Sequence, residues 1–101
     1  MISITLLPND VSASLNPLDS ESVVRAAEEH RDTLYPTASV ATDDLSLAYL
    51  YASDPHSLCE PNIVQGLTRP MRPGDILTLR NIDYVVLAYG FHKLFPQKWT
   101  I

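Results

Sequence analysis

The pattern of apolar and polar residues predicts several strands in this chain. Residues 2–6 alternate strictly, which is typical of a half-buried strand. Residues 39–41 predict a short second strand. Residues 76–79 and 84–89, the latter rich in β-branched and aromatic side chains, predict a β-hairpin joined by residues 80–83.

Apolar stripes at helical spacing predict two helices. The first covers residues 18–35, with Asp19 as its N-cap and Pro36 ending it. The second covers residues 44–53, is capped by Thr42 or Asp43, and is apolar on most sides, as buried helices are. Residues 8–17, before the first helix, and residues 55–70, after the second, lack periodicity and are predicted to be loops.

These elements predict an α+β fold with a small antiparallel sheet and two helices packed on one face. Their order is β-α-(β)-α-β-β, and a partly open barrel is the alternative form of the sheet. The length of 101 residues predicts a single domain over residues 1–101. Residues 2–6 are expected to form an edge strand, through which a second copy of the chain could pair.

Charge is distributed unevenly along the chain. The net charge is −5, but residues 1–60 hold ten acidic and two basic residues, and residues 61–101 hold two acidic and five basic ones. Such a split can orient a partner on a dipolar surface. It predicts a protein-binding acidic face on the first helix, formed by Glu21, Glu28, Glu29 and Asp32.

The basic residues offer an alternative surface for nucleic acid. Basic side chains interleaved with aromatic ones can bind single strands, and this set comprises Arg69, Arg72, Arg80, Lys93 and Lys98. The overall acidity argues against this alternative, because phosphate contacts dominate such affinity.

Catalytic and metal-binding patterns are weak. His56, Cys59 and Glu60 lie close together, but a zinc site needs three or four converging ligands, so His30 or His92 would have to join them. Cys59 could pair with a histidine as a nucleophile, yet the sequence places neither a helix start nor a fixed base beside it. We therefore expect no catalytic residues, no metal and no cofactor.

The chain also lacks the usual marks of export or membrane insertion. A single cysteine rules out an intrachain disulfide, and no apolar run approaches the roughly 18–20 residues of a membrane span. The first residues lack the basic lead of a signal peptide. The sequence predicts a cytoplasmic protein without membrane contact.

Residues 69–79 (RPMRPGDILTL), followed by Tyr84 and Gly90-Phe91, resemble the end of the YodL-like small proteins of phages, plasmids and integrative elements. The resemblance covers residues 43–94 and departs at Pro70 and Arg72, where that family usually has serines. It implies a mobile-element origin and no established activity. Its signature residues, to which we assign structural roles in turns and packing, are Gly74, Asp75, Tyr84, Gly90 and Phe91.

These observations favour a non-enzymatic module of a phage or mobile element that docks on a host or element-encoded protein. Inhibition of a host defence system, such as a CRISPR complex, fits the size and acidity. The contact surface would be the acidic face of the first helix or the loop at residues 55–70. A nucleic-acid-binding accessory protein is the alternative, and a small enzyme using Cys59 is a third hypothesis.

Overall fold

A computed structural model describes residues 1–53 and 64–94 of the chain. Within these residues it contains six strands and three helices. In chain order they are β1 (Ile2–Thr5), α1 (Asn9–Ser14), α2 (Ser20–His30), β2 (Ala38–Val40), α3 (Leu45–Ser53), β3 (Val64–Gln65), β4 (Ile76–Leu79), β5 (Ile82–Leu87) and β6 (Gly90–Lys93).

The six described strands form one antiparallel sheet in the order β3-β2-β1-β4-β5-β6. This confirms the α+β class and the antiparallel sheet. The expectation that residues 2–6 form an edge strand is wrong, because β1 lies between β2 and β4. Ile2 and Ile4 are fully buried there, so a dimer cannot form by pairing along this strand.

The helices also differ from the expected arrangement, since α2 and α3 lie on opposite faces of the sheet. Neighbouring residues of a strand point to opposite faces. Leu77 belongs to the apolar cluster that contains Ala48 and Ala52 of α3. Ile76 belongs to a second cluster, with Val23 and Ala27 of α2.

Consecutive apolar positions explain this two-sided core. β4 carries Ile76-Leu77 and β5 carries Val85-Val86, and all four side chains are buried. Because both faces of these strands are apolar, each face needs a covering layer. One helix on each face supplies that layer.

The boundaries of several elements depart from the sequence prediction. Residues 9–14 form α1 although they have no apolar stripe, and α2 ends at His30 rather than at residue 35. A two-residue turn, Arg80-Asn81 with φ of 53° and 66°, joins β4 to β5, as in type I′ hairpins. After that hairpin the chain forms another strand, β6, where a tail was expected.

Aspartates cap both longer helices. Asp19 accepts a hydrogen bond from the Ser22 amide, which confirms its predicted role. The cap of α3 is Asp44 rather than Thr42 or Asp43, since its Oδ1 accepts from the Ser46 and Leu47 amides at 2.9 and 3.2 Å. Asp43 instead binds the Met1 ammonium group, whose hydrogen bond and charge lower the pKa of this carboxyl.

A buried carboxylate organises the centre of the molecule. Asp75, which is 0% exposed, accepts two hydrogen bonds from the Arg69 guanidinium, at 2.8 Å each. The same carboxylate accepts from the backbone amides of Leu7 and Arg72, also at 2.8 Å. Arg69 completes the arrangement by donating to the carbonyl oxygen atoms of Leu7 and Pro70.

We call residues 69–75 the anchor segment, because hydrogen bonds tie it to α3, to β5 and to Leu7. The Met71 amide donates to the Ala52 carbonyl of α3, and the Gly74 amide donates to the Val86 carbonyl of β5. Through Asp75 the segment also holds Leu7, just after β1. The anchor segment therefore joins α3, β5 and the residues just after β1.

Gly74 confirms the backbone role that its position in the signature predicts. Its φ is +103°, a conformation that side chains rarely tolerate. A Cβ atom at this position would lie 2.8 Å from Leu7 Cδ1 and 3.0 Å from Leu15 Cδ1. Both the backbone and the packing thus require glycine here.

Replacing Asp75 tests the importance of this buried ion pair. We expect Asp75→Asn to lower the free energy of unfolding by about 3–5 kcal/mol, because it leaves the buried guanidinium of Arg69 without its counter-charge. Urea denaturation monitored by circular dichroism measures the change. Asp43→Asn is the matched control and should leave the unfolding midpoint nearly unchanged, since that ion pair is exposed. Equal effects of the two substitutions would contradict this assignment.

Candidate functional site

A groove runs along α2 on the side nearer to the edge of the sheet. α2 packs over β5, and the groove lies between α2 and the neighbouring strand β6. The groove has a volume of about 380 Å³ and is lined by Ser20, Glu21, Val24, Arg25, Glu28, Leu87 and His92. We refer to it as the α2 groove.

Helical spacing explains why these residues share one surface. Residues three and four positions apart on a helix are neighbours, so Glu21, Arg25 and Glu28 form one stripe. Val24 lies beside them and packs with Leu87 of β5 against the apolar cluster under α2. The groove therefore has an apolar floor between charged walls.

The structure divides the predicted acidic face into two parts. Glu21 and Glu28 line the α2 groove, whereas Glu29 and Asp32 are exposed and do not line it. Sequence reasoning missed Leu87 and His92, which reach the groove from the sheet. Only the strand pairing places them beside α2, so a helical pattern alone gives no signal for them.

Asp19, the N-cap of α2, has a lowered pKa. Hydrogen bonds from the hydroxyl and the amide of Ser22 hold the pKa of Asp19 below its ordinary value of 3.8, and the nearby Arg25 charge adds to the effect. Asp19 is consequently ionised near neutral pH, where it favours the first turn of the helix that carries the groove.

The predicted nucleic-acid residues do not converge in the described part of the chain. The prediction that Arg69 binds nucleic acid is wrong. Its side chain is 10% exposed and paired with Asp75, so it is not available to a phosphate. Arg72 precedes β4 and Arg80 follows it, at the opposite end. Lys93 is exposed on β6 opposite Tyr84, and Lys98 lies outside the described residues.

A second groove lies on the opposite face of the β5–β6 hairpin. It has a volume of about 220 Å³ and is lined by Ser46, Tyr49, Val86, Leu87, Ala88, Tyr89, Gly90 and Phe91. The rings of Tyr49 and Phe91 meet edge to face, with centroids 6.3 Å apart. We call it the aromatic groove. The predicted packing of Phe91 towards the core is confirmed, and Tyr89 beside it is 84% exposed.

The half of the sheet that α2 leaves uncovered is polar. Direct cross-strand partners form a row of polar residues on this face, namely Gln65, Ser39, Ser3, Thr78 and Asp83. At the end of the row, Asp83 accepts from the Thr78 hydroxyl and pairs with Arg31 of the segment after α2. Because this surface is already hydrophilic, it does not require an apolar partner.

The residues that suggested metal binding or nucleophilic chemistry lie mostly outside the described structure. His56, Cys59 and Glu60 lie outside the described residues, as do the other positions of the segment 54–63. Within residues 1–53 and 64–94, no group of three histidine, cysteine or acidic side chains is placed to hold a metal. No helix in the same residues is long and apolar enough to cross a membrane.

Comparison of the chain with protein-family models, with curated proteins and with solved structures gave no match. The resemblance to YodL-like proteins therefore stays a prediction.

The Asp19 cap predicts a specific pH dependence of folding. A carboxyl whose pKa is lowered on folding stabilises the native state above its unfolded pKa, and this stabilisation disappears as pH falls through the folded pKa. Asp19→Asn keeps a capping side chain but cannot titrate. We expect the variant to be less stable than the natural chain at about pH 6, and the difference to disappear as pH falls through the folded pKa of Asp19.

Urea midpoints of the two proteins at a series of pH values measure this difference. The natural chain should lose stability more steeply on acidification than the variant does. A gap between the two midpoints that stays constant with pH would contradict the assigned role of Asp19.

Proposed function

We propose that this chain is a protein-binding module and that the α2 groove is its contact surface. The observation that supports this proposal is the apolar floor of Val24 and Leu87, which lies between the acidic side chains of Glu21 and Glu28. Binding surfaces commonly combine a central apolar contact with a charged rim that sets orientation and association rate.

The chemistry of the groove indicates what it would bind. An apolar side chain of a partner would be desolvated against Val24 and Leu87, which supplies affinity. Lysine or arginine residues on either side of it would meet Glu21 and Glu28. Two further acidic residues outside the groove, Glu29 of α2 and Asp32 just after it, would attract a basic surface at longer range.

The biological setting belongs to the same proposal. The partner would be a host or element-encoded protein in the cytoplasm, and inhibition of a defence complex is the role suggested by the resemblance to mobile-element proteins. Nucleic-acid binding has less support, because Arg69 is engaged internally and the other described basic residues are dispersed.

Two pairs of charge reversals test the contact surface. We expect Glu21→Lys with Glu28→Lys to abolish capture of the partner from a lysate of the source organism, because both changes oppose the charge of the groove. Glu29→Lys with Asp32→Lys is the matched control, since it makes the same change of net charge on exposed positions outside the groove. It should retain the partner.

Quantitative mass spectrometry of the captured proteins compares the natural chain with both variants, and circular dichroism verifies that each variant is folded. Equal loss of the partner from the two variants would indicate non-specific attraction by net charge. Retention by the groove variant would refute the proposed surface. The absence of any captured protein at low salt would count against a binding module.

A further inference from the structure

β6 is the outermost strand of the described sheet, and its outer backbone groups are oriented for pairing. The Leu94 amide donates to the Asp83 carbonyl at 2.8 Å. In an antiparallel pair, alternate residues bond to the partner strand, so Gly90 and His92 bond to β5 as Leu94 does. The amide and carbonyl groups of Phe91 and Lys93 therefore point to the outer edge, where the described residues place no further strand.

Grooves flank this strand on both faces. His92 pairs with Val85 and lines the α2 groove, while Phe91 pairs with Val86 and lines the aromatic groove. Both grooves also share Leu87. A strand added beside β6 would present alternate side chains to the two faces, so its side chains would enter the two grooves in turn.

We propose that β6 is a strand-addition site for an extended segment of another protein whose alternate residues are basic and apolar. Basic side chains of the segment face Glu21 and Glu28 in the α2 groove. Apolar side chains face Tyr49 and Phe91 in the aromatic groove. This inference rests on the proposed function, since it names the kind of partner segment that the α2 groove accepts.

The charges of the two grooves favour a segment in which basic and apolar residues alternate. The walls of the α2 groove carry two glutamates and one arginine, and the aromatic groove has no charged residue among its lining side chains. A segment with the opposite alternation would place apolar side chains between the glutamates and charges against the Tyr49–Phe91 pair. Main-chain hydrogen bonds give affinity in such strand addition, and the alternating pockets give specificity.

The other outer strand fits this role less well. β3 consists of two residues, Val64 and Gln65. On the sheet face that carries α2, in the half that the helix leaves uncovered, β3 continues the polar row through Gln65 beside Ser39. β6 has four residues, its Phe91 packs against the apolar cluster under α3, and Leu94 just after it is buried in the cluster under α2.

A synthetic heptapeptide of alternating lysine and valine, with phenylalanine in place of the central valine, provides the probe. We expect it to bind the full chain and to slow hydrogen exchange of the Phe91 and Lys93 amides. A peptide of the same composition with its lysines in one block should bind at least about tenfold more weakly. Failure of the alternating peptide to bind, or equal binding of the blocked peptide, would overturn the inference.

Substitutions at Lys93 test the backbone contact itself. Lys93→Pro removes an amide that points away from β5, so it blocks pairing at the outer edge without removing a β5–β6 hydrogen bond. It should weaken peptide binding roughly tenfold, the effect of losing about one hydrogen bond. Lys93→Ala is the control, because it removes the charge and keeps the amide, and it should bind as the natural chain does. Equal binding by the two variants would overturn strand addition.

Combining these variants with the groove variant separates the two proposals. Peptide binding that is lost with Glu21→Lys and Glu28→Lys but insensitive to Lys93→Pro would retain the α2 groove as a contact surface and overturn strand addition. Binding that is lost with Lys93→Pro but insensitive to the two charge reversals would support strand addition and overturn the groove.

Exchange of the Phe91 and Lys93 amides without peptide identifies competing occupants. Rapid exchange at all protein concentrations supports a free edge. Slow exchange that depends on concentration would mean that a second copy occupies β6. Slow exchange at every dilution would mean that the chain itself covers this edge, and either result would overturn the inference.

Discussion

The ion pair between Asp75 and Arg69 is the interaction on which the rest of the structure depends. It lies where β1 ends and where β4 begins, two strands that are far apart in sequence and adjacent in the sheet. Removing a carboxylate and a guanidinium from water is costly unless their hydrogen bonds are satisfied. Here the carboxylate accepts four and the guanidinium also holds two backbone carbonyls, so the pair fixes one arrangement of the surrounding chain.

The candidate site follows from that arrangement. With β1 and β4 held together at the centre, the β5–β6 hairpin extends to one side of the sheet. α2 and α3 then cover opposite faces. α2 packs over β5, and α3 reaches β6 through the ring contact between Tyr49 and Phe91. The grooves on the two sides of the hairpin are the spaces that the helices leave. The edge strand β6, the α2 groove and the aromatic groove therefore form one surface only because β1 and β4, which are far apart in sequence, pair at the centre of the sheet.

The sequence predicted the features that depend on neighbouring residues. Alternation at residues 2–6 predicted β1, the hairpin pattern at residues 76–79 and 84–89 predicted β4 and β5, and the position of Asp19 predicted the cap of α2. It could not place β1 at the centre, because alternation reveals a buried face and not the number of neighbouring strands. The double apolar positions in β4 and β5 did contain the signal for a helix on each face. Arg69 was predicted to lie on the surface because it is charged. Its partner Asp75, six residues later, was interpreted only as a turn residue.

Native-state hydrogen exchange measured by NMR tests the central role of the ion pair most directly. The amides of Leu7 and Arg72 lie outside regular strands and helices, yet they donate to the buried Asp75 carboxylate. We predict that both exchange as slowly as the amides of the central strands, through global unfolding alone. Exchange as fast as that of Leu18, whose amide binds the exposed Asn16 side chain, would contradict the account.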